Sequence, residues 1–60
     1  MEVLQAQYNE HTAKWYIMVK KQKGAGTWTV YGTGNGYFSR ELAERFIDKL
    51  VNSFPDYVKG

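Results

Sequence analysis

Alternation of side chains in residues 14–21 constrains the fold of this chain more than any other feature of its sequence. The segment reads KWYIMVKK, and the apolar residues Trp15, Ile17 and Val19 occupy every second position. A period of two is the side-chain repeat of a strand that buries one face, so we predict a strand here. The opposite side of this strand carries Lys14, Tyr16, Met18 and Lys20.

A second strand pattern follows a glycine-rich turn at residues 22–26, which read QKGAG. In residues 27–33 (TWTVYGT), Trp28 and Val30 alternate with polar residues and a tyrosine. Two strand patterns joined by a short glycine-rich segment predict a β-hairpin. We expect Trp28 and Val30 to face the core on the same side as Trp15. The opposite side of the second strand would then carry Thr27, Thr29 and Tyr31.

A helical pattern occupies residues 39–53, which read SRELAERFIDKLVNS. Ser39 is a good N-cap, Glu41 lies where the helix dipole favours negative charge, and Pro55 would end the helix. The predicted apolar stripe consists of Leu42, Ala43, Phe46, Leu50 and Phe54, with Ile47 and Val51 on one flank. The predicted solvated face carries alternating charges at Arg40, Glu41, Glu44, Arg45, Asp48 and Lys49.

Residues 1–8 fit either a strand or a helix, and we favour a strand because a third strand makes the sheet wide enough for a helix to cover. Residues 9–13 would be the connecting loop, and residues 56–60 a short extended tail along a sheet edge. We therefore predict one α+β domain over residues 1–60, a three-stranded antiparallel meander with one C-terminal helix packed on one face.

Small size limits the stability of this chain, since sixty residues without cysteine build a small core and no disulfide. An edge-to-edge or helix-to-helix homodimer would increase the stability of the fold. The predicted core consists of Leu4, Ala6, Trp15, Ile17, Val19, Trp28, Val30, Leu42, Phe46, Leu50 and Phe54.

Motifs for catalysis, metals or cofactors are weak. Residues 32–36 read GTGNG, which lacks the spacing of phosphate-binding loops, so we expect Gly32, Gly34 and Gly36 to turn the chain through positive φ angles. His11 has neither a second histidine nor a cysteine to share a metal, and we expect it to be an exposed loop residue. The sequence therefore predicts a protein that is not an enzyme and has no cofactor.

Aromatic residues point to a binding surface, because five Tyr, three Phe and two Trp exceed what so small a core encloses. The single predicted helix leaves one sheet face uncovered, and aromatic residues with Met and flanking lysines are typical of recognition surfaces. An ordinary solvated face with cross-strand tyrosine pairing is the alternative. The predicted binding residues are Lys14, Tyr16, Met18, Lys20, Thr27, Thr29 and Tyr31.

The order of KWYIMVKK, a glycine-rich turn, TWTVYGT and a helix with SRELAERF resembles two families of DNA-binding domains. These are the ethylene-response-factor domains of plants and the arm-binding domains of tyrosine integrases. The resemblance spans residues 14–51 and implies that the exposed sheet face enters the major groove. It assigns base or phosphate contacts to Lys14, Tyr16, Lys20, Thr27, Thr29 and Tyr31. The arginines that usually read bases in such sheets are absent from both strands.

We expect the chain, which begins with Met1, to be complete and to act by occupying a surface. In style it resembles the small inhibitors and regulators that phages and mobile elements direct at host machinery. The expected partner is a host protein or nucleoprotein complex, and direct DNA binding through the same face is the alternative. With no apolar run long enough for a bilayer and no signal-peptide pattern, we expect no membrane partner and a cytoplasmic location.

Overall fold

The computed structural model describes residues 1–22, 24, 26–32 and 34–60. The chain forms a four-stranded mixed sheet in the order β3-β2-β1-β4, with one helix packed against it. The α+β class is confirmed, while the three-stranded meander is incomplete because a fourth strand runs parallel to β1. The elements are β1 (Glu2–Asn9), β2 (Lys14–Lys20), β3 (Thr29–Val30), α1 (Arg40–Ser53) and β4 (Tyr57–Lys59).

The first two strands form the centre of the sheet. They pair antiparallel through seven residue pairs, and the strand prediction for the N-terminal residues is confirmed. Leu4 lies opposite Val19 and Ala6 lies opposite Ile17. Because directly opposite residues share a face, the alternation of both strands directs these side chains towards α1. We call this side the inner face.

The side chains of β3 point to the faces opposite to those predicted. Val30 pairs with Met18 and Thr29 pairs with Val19, so Val30 points away from α1. The next residue, Tyr31, packs against the core, and its N–H donates to the Ile17 carbonyl oxygen over 2.9 Å. The assignment of Val30 to the core was therefore wrong.

Trp28 lies two residues before Val30 and therefore on the same side of the chain. Its ring lies under the ammonium group of Lys20, which points away from α1. Its predicted place in the core is therefore also wrong. The ladder of β3 contains two residues, which is shorter than the strand predicted over 27–33. Of the predicted turn and strand, Lys23, Ala25 and Thr33 lie outside the described residues.

The helix begins and ends where its sequence signals predict. The Ser39 hydroxyl oxygen accepts a hydrogen bond from the Leu42 N–H over 3.2 Å, and the last helical residue, Ser53, lies two residues before Pro55. Among the described residues no helix is long and apolar enough to cross a membrane.

The buried side of α1 differs from the predicted stripe. Ala43, Ile47 and Leu50 are buried, while Leu42 and Phe46 are 44% and 42% exposed. Phe54, after the helix, is also exposed. The helix is thus turned about its axis towards Ile47, a residue that we had placed on the flank of the stripe.

An ion-pair cluster joins α1 to β4. The Lys59 ammonium group on β4 lies 2.8 Å from a Glu44 carboxylate oxygen and 3.1 Å from an Asp48 oxygen. These two acids therefore lie beside β4 rather than on a purely solvated face. Arg40 lies over the Trp15 ring, with its guanidinium carbon 5.8 Å from the ring centroid.

The core lies between the inner face and α1, and its buried cluster is small. Tyr31 and Tyr57 meet edge to face with ring centroids 5.8 Å apart, which closes the cluster beside β4. The buried cluster consists of Leu4, Ile17, Ala43, Ile47 and Leu50. Around it pack Ala6, Trp15, Val19, Tyr31, Tyr37, Val51 and Tyr57.

Candidate functional site

The side of the sheet that points away from α1 is the candidate site, and we call it the outer face. It includes Val3, Gln5, Gln7, Lys14, Tyr16, Met18, Lys20, Trp28 and Val30, of which Val3 is buried. Four of the seven residues predicted for binding share this face, namely those of β2.

The other three predicted residues do not belong to the outer face. Thr29 lies opposite Val19, and its hydroxyl donates to the carbonyl oxygen of Val19 over 3.3 Å. Tyr31 packs against the core, so its predicted exposure on the outer face is wrong. Thr27 is exposed but lies outside the ladder of β3. For Thr29 and Tyr31 the cause is the pairing of β3 with β2, which turns Thr29 to the side of Val19.

A groove of about 390 Å³ runs along the outer face. Its apolar floor comes from Tyr16, Met18 and Val30, and Val30 is 45% exposed. The turn between β1 and β2 forms one end of the groove, where the His11 N–H donates to the Asn9 side-chain oxygen over 2.9 Å. The groove is lined by Gln7, Tyr8, Asn9, Glu10, His11, Tyr16, Met18 and Val30.

Hydrogen bonds hold the polar side chains of the groove in place. The Tyr16 hydroxyl donates to the Thr12 hydroxyl oxygen over 2.9 Å. On β1, the Gln7 side-chain amide donates to the Gln5 side-chain oxygen over 2.9 Å. A partner would therefore meet side chains that are already ordered, which lowers the entropy cost of binding.

The two lysines of the outer face each lie over an aromatic ring. The ammonium of Lys14 is 5.3 Å from the centroid of the Phe38 ring, and that of Lys20 is 4.7 Å from the centroid of Trp28. Such cation–π contacts restrain a long side chain while leaving its charge available. The outer face thus has a positive charge near each end of β2.

Gly36 is required by close packing rather than by its backbone angle. A Cβ atom at this position would lie 2.6 Å from the Lys14 Cβ and 3.0 Å from the Tyr16 ring. Gly32 and Gly34 have the predicted positive φ angles, but the prediction for Gly36 is wrong. The absence of a side chain at Gly36 lets the loop before α1 lie against the outer face.

Sequence reasoning missed several residues of the groove. Val30 was assigned to the core because its alternation with Trp28 matched that of the preceding strand. Glu10 and His11 were regarded as ordinary loop residues, and both are exposed as expected. The short β1–β2 connection was the signal that could have placed them beside Tyr16, since a tight turn brings its residues to the end of both strands.

Tyr57 and Lys59, whose pKa values are shifted, lie on β4 and do not line the groove. The hydrogen bond with Tyr31 and then burial raise the pKa of Tyr57 above its ordinary value. Hydrogen bonds to Glu44 and Asp48 likewise raise the pKa of Lys59. In the described ranges no three His, Asp or Glu residues are grouped so that they could hold a metal ion.

Comparison of the chain with protein-family models, with curated proteins and with solved structures finds no match. The resemblance to three-stranded DNA-binding domains therefore stays a prediction drawn from the sequence pattern. Function has to be argued from the geometry and charge of the outer face.

Proposed function

We propose that this protein is a non-enzymatic binding protein that docks its outer face on a protein partner. The supporting observation is the groove, whose apolar floor of Tyr16, Met18 and Val30 lies on the face opposite α1. A concave apolar surface with ordered polar edges suits the insertion of a partner side chain. The partner would be a host protein or nucleoprotein complex that is inhibited or redirected by occupancy.

The charges around the groove favour a protein over duplex DNA. Lys14 and Lys20 flank it about 20 Å apart along β2. Glu10 lines one end, where its carboxylate would repel a phosphate. Strong DNA binders neutralise roughly six to ten phosphates, far more than two separated lysines can. For a protein partner the same lysines would speed association with an acidic patch.

The first experiment separates the two partner classes. Fluorescence anisotropy with labelled duplex and single-stranded DNA, at about 50 mM and about 200 mM salt, measures affinity and its salt dependence. We expect weak binding that is lost at the higher salt. Submicromolar duplex binding at the higher salt would contradict the proposal, and direct DNA recognition would replace it.

The second experiment identifies the docking face. A photo-crosslinking amino acid at Val30 should capture a partner from cell extract, whereas the same group at the exposed helix position Asn52 should not. With the captured partner purified, Tyr16→Ala with Met18→Ala should weaken binding at least about ten-fold. The matched control on α1, Glu41→Ala with Asn52→Ala, should leave affinity unchanged. The reverse result would make α1 the interface.

A further inference from the structure

The helix α1 separates its charges onto two flanks. On one flank, Glu44 and Asp48 both bond Lys59 of β4, so their negative charge is compensated within the fold. On the other flank lie Arg45 and Lys49, and Lys49 forms no ion pair with any residue that the structure describes. This second flank is positive and faces away from the strand that neutralises the first.

The positive flank also carries an apolar cleft of about 160 Å³, which we call the helix cleft. It is lined by Tyr37, Leu42, Arg45, Phe46 and Lys49. The rings of Tyr37 and Phe46 form its floor with centroids 6.0 Å apart, and Leu42 and Phe46 are more than two-fifths exposed. Exposed apolar side chains grouped in a cleft gain free energy when a partner removes them from water.

The charges of the helix cleft select the partner. Glu41, the acidic residue nearest to it, is highly exposed and lies 3.9 Å from Arg45, a weak surface ion pair that a stronger ligand can displace. A second copy docked through the same cleft would bring Arg45 and Lys49 of both chains into one interface, where their like charges repel. An acidic partner meets no such penalty.

We infer that the helix cleft binds an acidic peptide segment that carries an aromatic or aliphatic side chain. The apolar side chain would pack on Tyr37, Leu42 and Phe46, while carboxylates flanking it would bond Arg45 and Lys49. The planar guanidinium of Arg45 can hold a carboxylate through two parallel hydrogen bonds.

This site is separate from the groove of the outer face. The two share no lining residue, and α1 lies on the opposite side of the sheet from the groove. The chain can therefore hold two partners at once and bring them together. Failure of either site leaves the other proposal standing, because each is tested on its own residues.

Fluorescence anisotropy with a labelled synthetic peptide tests the inference. The probe is a glutamate-rich peptide of about twelve residues that contains one phenylalanine and one leucine. The Arg45→Glu, Lys49→Glu double variant should weaken binding at least about ten-fold. The matched control, Lys21→Glu with Lys23→Glu, changes the net charge equally, and Lys21 lines neither proposed site, so this variant should weaken binding less than about two-fold.

The apolar contact is tested separately. Phe46→Ala should weaken binding of the same probe about five-fold or more, and Phe54→Ala, an exposed phenylalanine that lines neither site, should not. Circular dichroism melts establish that each variant is folded.

Three results would overturn the inference. One is no binding of the peptide below about 1 mM. Another is equal loss in the two charge-reversal variants, which would mean unspecific attraction. The third is an NMR signal of the Phe46 backbone amide that shifts with protein concentration in the absence of peptide. Such a shift would mean that a second copy of the chain occupies the cleft.

Discussion

The two faces of the sheet use the same strands for different purposes. On the inner face, Leu4 and Ile17 are buried against Ile47 and the other core residues of α1. On the outer face, Tyr16 and Met18 are half-buried, and a groove remains open to solvent. Since neighbouring residues of a strand point to opposite faces, each core residue of β2 is flanked by outer-face residues. Substitutions at neighbouring residues of β2 should therefore affect either stability or binding, according to the face on which each side chain lies.

The largest expected effect comes from the centre of the inner face. Ile47→Ala should lower the free energy of unfolding by about 2 to 4 kcal/mol, because it leaves a cavity in a fully buried cluster. Phe46→Ala, one residue earlier and 42% exposed, should cost less than about 1.5 kcal/mol. Urea unfolding followed by circular dichroism measures both, and the opposite ranking would mean that α1 is turned as the sequence pattern predicts.

The next largest loss of stability tests which residues of the β3 region face the core. Tyr31→Ala should cost about 2 to 3 kcal/mol, because the ring packs against the core and meets Tyr57 edge to face. Val30→Ala, on the outer face, should cost less than about 1 kcal/mol. Thermal melts of the two variants compare them directly. A greater loss for Val30→Ala would put Val30 in the core and remove the floor of the proposed groove.

Close packing on the outer face predicts a smaller effect. Gly36→Ala should destabilise the fold by about 1 to 2 kcal/mol, because its new methyl group meets the Cβ of Lys14, which cannot move without the backbone. In a Lys14→Gly background, where that atom is absent, the same change should cost less. Equal costs in the two backgrounds, measured by urea unfolding, would show that the loop does not lie against β2.

The smallest effect concerns the edge of the inner face at β4 and depends on pH. The pKa values of Lys59 and Tyr57 are both raised in the folded state, so folding favours their protonated forms. This stabilisation is complete below their ordinary pKa values near 10 and is lost as the pH rises through the folded values. The urea midpoint should therefore fall as the pH rises above about 10.

Two variants test which residues cause the fall of the urea midpoint at high pH. Lys59→Met should reduce it by removing the ion pairs with Glu44 and Asp48, and Tyr57→Phe should reduce it by removing the hydrogen bond with Tyr31. Asn52→Ala, an exposed change on α1, should leave it unaltered. An unchanged fall in both test variants would mean that β4 is not held to α1 and the core as described.

Local patterns in the sequence determined the elements of this protein. The period of two in residues 14–20 defined β2, and the Ser39 cap with Pro55 defined the bounds of α1, because these signals act within a few residues. The extended tail along a sheet edge was also predicted, and it forms β4. The order of β1, β2 and β3 is that of the predicted meander. The parallel pairing of β4 with β1 was not predicted, since pairing between distant segments leaves no local signal.

Tertiary contacts decided which way β3 and α1 face, and with that the candidate site. The ladder of β3 contains two residue pairs, and a shift of one residue exchanges its two faces, so Trp28 and Val30 moved outwards while Tyr31 moved inwards. The apolar residues of α1 form a stripe wider than the side that is buried, so their pattern allows several rotations. Packing against the sheet leaves one of them, in which Ala43, Ile47 and Leu50 are buried with Leu4 and Ile17. Leu42 and Phe46 stay exposed in the helix cleft.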